Sequence, residues 1–249
     1  MKKIATLLVC LLPSFIASKL LRRLGHMVAE NARIGLSIIY VDYLYLNENA
    51  KVGHFNLISC DRIYLDKRAY IGRNNIMWGP FSIILKTKGA VGNGNKITRG
   101  KQGRVTSGKS FLRLGELSKI TANHRLDLTR TIRFGDYSTL AGTSSEIWTH
   151  GYVHEQTGPG RYRVDGAVSI GNNVYLGSRC IITGSLSIAS GCQVGAGAVV
   201  SKSITEVGFY VSQALRKLPL SDMPELRDDL KRDSRISTEI VYVKDLNNP

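Results

Sequence analysis

The sequence predicts an all-β fold, a parallel solenoid built from six-residue repeats. Three observations predict it. From Ile170 onward every sixth residue is aliphatic: Ile170, Leu176, Ile182, Ile188, Val194 and Val200. Each is followed by a small residue, namely Gly171, Gly177, Thr183, Ala189, Gly195 and Ser201. Four residues after each aliphatic position stands another apolar one: Val174, Cys180, Leu186, Cys192, Ala198 and Ile204. Six consecutive hexads obeying three rules at once mark a repeat architecture.

The period fixes the geometry. An inward-pointing residue every six positions describes a short flat strand, a corner and the next strand. Three hexads close a triangular coil of roughly eighteen residues, and coils stack at the strand spacing of about 4.8 Å. Aliphatic residues then form continuous interior columns, and the small residues are expected to let the chain turn at each corner. Cys180 and Cys192 fall on interior positions, where a thiol serves as a small hydrophobe.

Upstream, the same step joins Leu46, Val52 and Ile58, then Leu65, Ile71 and Met77, then Leu114, Ile120 and Leu126, followed by Phe134 and Leu140. Gly53 and Gly72 follow the middle members of the first two sets. The stretch Gly89–Gly108 blurs the register without reading as a linker. With 25 glycines and only 6 prolines, tight turns are favoured over disordered connections. One solenoid is therefore expected over residues 31–206, between an amphipathic helical segment, 1–30, and a C-terminal segment, 207–249. Ser221-Asp222 resembles a helix cap and precedes helix formers, which predicts a short C-terminal helix.

The N-terminal segment, "MKKIATLLVCLLPSFIASKLLRRLGH", admits three readings. Its uncharged stretch from Ile4 to Ser18 is too short to span a bilayer and is interrupted by Pro13. Lys19, Arg22 and Arg23 interleave with Leu20, Leu21 and Leu24, the pattern of a helix lying on an anionic membrane through residues 1–25. The same pattern suits a helix packed on the fold. Lys2 and Lys3 ahead of an apolar run also fit a secretory signal.

Lys and Arg total 34 against 19 Asp and Glu, a net charge of +15 that favours acidic partners. No recognition-helix pattern, RNP-like motif or basic stripe interleaved with aromatics accompanies it, so no nucleic-acid partner is expected. The four cysteines, Cys10, Cys60, Cys180 and Cys192, form no CxxC pair and are too few for a disulfide framework in a chain of this length. A reducing, cytoplasmic setting is expected, with contact at the cytoplasmic face of the membrane if the first segment is interfacial.

Two of the five histidines, His150 and His154, lie in "IWTHGYVHE". Leu140 and Ile170 are thirty residues apart, and two hexads account for about twelve of them. The remainder must leave the solenoid as a loop over 152–167, where "GYVHEQTGPGRYRVDG" carries glycines, a proline and two arginines. Loops leaving a rigid scaffold often carry function. His150 then ends the last ordered strand before the break, and His154 lies on the loop. Taken alone, His150 reads either as a base or as a polar corner residue. His124, four residues after Ile120, is placed in the interior or at a subunit seam. His26 and His54 have no supporting motif.

"IGNNVYLGSRCIITGSLSIASGCQVGAGAVVSKSI" resembles the hexapeptide-repeat acyltransferases, and within them the sugar O-acetyltransferases of polysaccharide biosynthesis. The resemblance is specific over Trp148–Leu218. It implies a left-handed parallel β-helix, which periodicity alone does not reveal. It implies acetyl transfer from acetyl-CoA to a hydroxyl or amino group of a sugar or polysaccharide precursor, with no metal. Through Thr149-His150-Gly151 it implies His150 as the general base, a role suited to an imidazole titrating near pH 6.5. It further implies acceptor contacts at His154, Trp148 and Tyr175, the last standing where relatives often carry Trp. Coenzyme contacts are implied at Gly177, Ser178, Gly195 and Ala196, with a backbone N–H there serving the oxyanion, and phosphate contacts at Lys202, Arg216 and Lys217. "GFYVSQALRKLP" resembles the family's closing segment, although Gln213 and Leu215 depart from it. A homotrimer with sites between subunits is implied. Two alternatives stand beside this reading: a zinc-dependent β-helix hydratase using His150, His154 and a neighbour's histidine, and a non-catalytic scaffold binding membrane or nucleic acid through its charge.

Overall fold

In the computed structural model the described residues are 2–212, together with Leu230–Arg232 and Tyr242–Lys244. Residues 2–212 form one compact unit: an all-β parallel solenoid of about 9 turns with two short helices, the architecture of a left-handed β-helix. Strands of successive coils pair in register to make three parallel sheets, here called faces A, B and C in the order the chain visits them. Face A runs from Met27–Val28 to Leu186–Ile188, face B from Arg33–Ile34 to Phe209–Tyr210, and face C from Ile38–Tyr40 to Val199–Val200.

The repeat columns point inward as their spacing requires. Ile170, Leu176, Ile182, Ile188, Val194 and Val200 are all buried, and so are Val174, Cys180, Leu186, Cys192 and Ala198, with Ile204 half-buried. The upstream sets behave alike, and Leu85, Val91 and Ile97 supply the coil that is blurred in the sequence. What blurs it is a single insertion after Thr98. Arg99, 4% exposed, anchors this loop by donating to the carbonyl oxygens of Pro80, Ser107 and Gly108. All four cysteines are free and buried.

The small residues of the repeat have a different reason from the one expected. Left-handed φ occurs three positions after the aliphatic residue, at Asn173, Arg179, Ser185, Gly191 and Gly197, not at the small residue beside it. The small residue instead allows coils to approach. A Cβ on Gly171 would lie 2.6 Å from the Ser190 amide nitrogen, and one on Gly177 2.6 Å from that of Ala196.

Polar side chains inside the corners leading into face C form a ladder. Asn56, Asn75 and Asn95 each accept at Oδ1 from the next coil's amide, with distances of 2.9, 2.8 and 2.9 Å to Asn75, Asn95 and His124 nitrogens. Each also donates from Nδ2 to a carbonyl of the next coil: Gly72, Gly92 and Thr121.

Two helices, α1 (Lys2–Cys10) and α2 (Ser14–Arg23), close the first coil, with Pro13 between them. Cys10, Ala17 and Leu21 are buried, the first and last within the solenoid's own core. Thr6 Oγ1 lies 2.8 Å from His26 Nε2, and Ile34 N donates to Ser14 Oγ at 3.0 Å. Of the leucines, Leu21 is thus spent on packing, and Leu20 and Leu24 are half-buried. Ile4, Leu8, Leu11, Leu12 and Phe15 are exposed instead.

The expected loop over 152–167 is an antiparallel hairpin whose strands begin earlier, His150–His154 against Arg161–Asp165. Of the expected C-terminal helix, the described part, Leu230–Arg232, is a strand paired antiparallel with Tyr242–Lys244. The remainder, with Arg216 and Lys217, lies outside the described residues.

Candidate active site

Glu146–Trp148 is a strand of face C, and it lies one coil above Arg125–Asp127, with Leu126 beside Ile147. The corner that leaves face C therefore stacks Asp127 beneath Thr149 and His150. A one-residue slip of either strand would turn Asp127 away, so the hexad register sets this contact.

Asp127 Oδ2 accepts from the Thr149 amide at 3.1 Å, the Thr149 hydroxyl at 2.7 Å and His150 Nδ1 at 2.9 Å. Oδ1 accepts from the Thr129 hydroxyl at 3.0 Å. Burial pushes the carboxyl up, but the donors His150, Thr149 and Thr129 outweigh it and hold the group below its ordinary range. An ionised carboxylate only accepts, so the hydrogen of a neutral His150 sits on Nδ1 and the lone pair on Nε2. Among the described residues no hydrogen bond engages Nε2, and the side chain is 27% exposed against 10% for Asp127. Buffered on one nitrogen and open on the other, the imidazole is arranged to accept a proton.

Two aromatic rings frame it. Trp148 meets His150 edge-on at 6.2 Å and is itself held by Nε1 donating to Glu146 at 2.9 Å. Tyr152 also meets it edge-on, at 6.0 Å, with the Arg161 guanidinium over its own ring. Asp165 faces His150 across the hairpin and pairs with Arg163 at 2.7 Å and with Arg130 at 3.5 Å. This pairing ties the hairpin base to the corner below.

His154 lies four residues along the hairpin, about 13 Å of strand from His150, and is exposed. Among the described residues no group of three His, Cys, Asp or Glu side chains is placed to hold a metal ion. His124 proves interior, 1% exposed.

Gly177-Ser178 and Gly195-Ala196 stack at the corner entering face C. The Gly177 and Gly195 amides donate to Val194 and Tyr210 carbonyls, both at 2.8 Å, so those two N–H groups are committed to holding the coils together. Any oxyanion donor at this corner must come from a neighbouring amide. Tyr175 and Lys202 are exposed. His150 and this corner stand at opposite edges of face C, so one chain does not bring them together. Asp127, Thr129 and the paired Arg163 and Asp165 escaped the sequence reading. Only the offset of twenty-three residues between Asp127 and His150, close to one coil, hinted at the first.

No protein-family model matches the chain, and no curated protein matches it. Solved structures are similar in fold. The hexapeptide-repeat-containing acetyltransferase VCA0836 from Vibrio cholerae O1 biovar eltor, complexed with acetyl coenzyme A, gives a TM-score of 0.41 at 19% identity, over 53% of this chain and 69% of that one. The polySia-specific acetyltransferase NeuO gives 0.45 at 14% identity over 82% and 94%. A mutant of AntD, an N-acyltransferase from Bacillus cereus in complex with dTDP-4-amino-4,6-dideoxyglucose and coenzyme A, gives 0.43 at 15% identity over 86% and 94%. All three likenesses are distant, and the bound molecules belong to those proteins.

Proposed function

We propose that the chain transfers an acetyl group from acetyl-CoA to a hydroxyl of a sugar or glycan. The observation that carries this reading is the Asp127–His150 pair, with Nδ1 held at 2.9 Å and Nε2 open beside two aromatic rings. His150 Nε2 takes the hydroxyl proton as the acceptor oxygen attacks the thioester carbonyl. The C–S bond breaks, and the thiolate recovers that proton from the imidazolium, leaving coenzyme A as its thiol and an O-acetyl ester. Asp127 is a positioning residue that fixes the tautomer and steadies the imidazolium. Trp148 and Tyr175 are acceptor contacts, and His154 is a peripheral one. The pantetheine arm lies along the Gly177-Ser178 and Gly195-Ala196 corner, with Lys202 toward the phosphates.

Because base and coenzyme corner occupy opposite edges of one face, a neighbouring copy completes the site, and a homotrimer is the assembly proposed. The exposed Ile4, Leu8, Leu11, Leu12 and Phe15, beside Lys19, Arg22 and Arg23, rest on the cytoplasmic face of an anionic membrane. The test is thiol release from acetyl-CoA across a panel of sugar acceptors, by the wild type and by His150→Ala. Acceptor-dependent release that vanishes in the variant supports the reading. Equal turnover in the two proteins overturns it.

A further inference from the structure

A concave site lies on face A, several coils before the candidate active site. Its floor is a triangle of half-buried tyrosines on neighbouring strands. Tyr43 and Tyr64 stand 5.8 Å apart between ring centroids, Tyr45 and Tyr64 6.2 Å. Lys2, from α1, closes one end 5.6 Å above the Tyr43 ring. Around the rings stand Arg62, Asp66 and Lys86, and the cavity holds about 820 Å³. That is the size of a pocket for a small organic ligand, about 300–1,000 Å³.

The lining discriminates among occupants. The buried centre of a protein–protein contact is depleted of charge, whereas here carboxylate, guanidinium and ammonium groups stand among the rings and the apolar Met27, Ile84 and Leu85. A nucleic-acid backbone prefers a uniformly cationic surface, but Asp42 and Asp66 line this one. Aromatic faces tilted against one another, with the Arg62, Lys2 and Lys86 donors at their edge, match a pyranose ring. Such a ring presents C–H groups on its faces and hydroxyls at its rim.

The register links this cavity to the candidate active site. Along the outside of face A, Tyr45 lies beside Tyr64, Tyr64 beside Ile84, Ile84 beside Arg113 and Arg113 beside Arg133. Arg133 is three residues beyond Arg130, on the strand that leaves the Asp127–Thr129 corner. From Tyr64 to Arg133 is three coil steps, about 14 Å. From Arg133 back to Thr129, beneath His150, is four residues, up to about 13 Å more, so the whole span is too long for one or two sugars and within reach of an oligosaccharide.

We propose that the tyrosine cavity is a non-catalytic glycan-binding site, which holds one part of a chain acceptor while another ring of the same chain reaches His150. The consequence for transfer rests on the acetyltransferase reading above, but the binding does not. The test is a glycan array of neutral and acidic oligosaccharides two to eight rings long. It is probed with the full chain, with His150→Ala, with Tyr45→Ala/Tyr64→Ala and with Arg62→Ala, whose exposed side chain leaves the core intact. The expected result is capture of a subset of longer glycans, unchanged in His150→Ala and weakened at least tenfold in both face A variants. Capture with no acetylation of the captured glycan keeps this proposal and removes the transferase reading. If no glycan is held, or the face A variants hold it as well as the wild type, the proposal fails. A fall in native mass of Arg62→Ala also overturns it, because the face is then a contact between copies.

Discussion

At the corner entering face C, His124 is 1% exposed, and its ring is a rung of the polar ladder. Nδ1 accepts from the Ser145 amide at 3.1 Å, and Nε2 lies 2.9 Å from the Thr121 hydroxyl. At the corner leaving face C, one coil later, His150 binds a carboxylate through Nδ1 and turns Nε2 outward. Burial holds His124 down to about 4, so it stays neutral and inert. The two differ in what the coil below offers. Asn95 offers an amide oxygen to the His124 backbone, whereas Asp127 offers charge to the His150 ring. A histidine becomes a candidate base here by standing over a carboxylate at the rim, not by its place in the repeat.

The largest effect should come from breaking the rim site. His150→Gln is expected to lower acetyl transfer about 10³-fold, with an unchanged urea midpoint; thiol release and denaturation measure the two. Asp127→Asn should cost about 10²-fold, mostly in kcat, because a carboxamide no longer fixes the tautomer or steadies the cation. Its pH–rate profile should differ from the wild type's, because a neighbouring carboxylate favours the imidazolium and a carboxamide does not. An unaltered profile would show that the carboxylate only supports the fold.

The ladder site should respond in stability alone. His124→Ala leaves the buried Ser145 amide without its acceptor, while the Thr121 hydroxyl keeps the Leu140 and Gly142 carbonyls, and should cost about 2 kcal/mol, read from urea unfolding, with turnover per folded molecule retained. His124→Asn restores the rung used by Asn56, Asn75 and Asn95 and should recover most of that loss. The remaining effect is on pH. His26 and His124 both titrate near 4 when folded and near 6.5 when unfolded. As pH falls between these values, only the unfolded chain takes up the protons, so stability declines over that window. The depressed Asp127 carboxyl adds a separate loss at lower pH, once it protonates. Urea midpoints from pH 7 to 4 should fall less steeply in His124→Asn.

The solenoid was legible because its rule is local: each hexad announces its inward residue, and Ile170 through Val200 are buried accordingly. The break near His150 was legible for the same reason, as a failure of rhythm, although it falls after Trp148, so His150 opens the hairpin and does not end the solenoid strand. Asp127 was not, because it meets His150 only through stacking, and stacking distance depends on how many residues each corner inserts. The hairpin at 150–165 reads as a loop in sequence because glycine and proline mark a departure from the coil but not the shape of the departing chain. The leucines of α2 look available for a membrane because their partner is the open end of a coil, which no periodicity displays. The tyrosines of face A stand on different strands, and only parallel registration gathers them.

The asparagine ladder has a consequence for tolerance. Each rung is bolted to the next coil by two bonds of opposite polarity, an acceptor and a donor, from a single amide. Sliding a coil by one residue breaks both at once, so the rungs act as alignment pins that cancel error as turns accumulate. Without them, small offsets would add along the stack, and the most distant coils would inherit the sum. The pins continue past His124 to Ser145, whose hydroxyl accepts from the Cys180 amide at 3.1 Å and donates to the Gly177 carbonyl at 3.2 Å, so the coil that carries the carboxylate and the coil that carries the imidazole are each pinned.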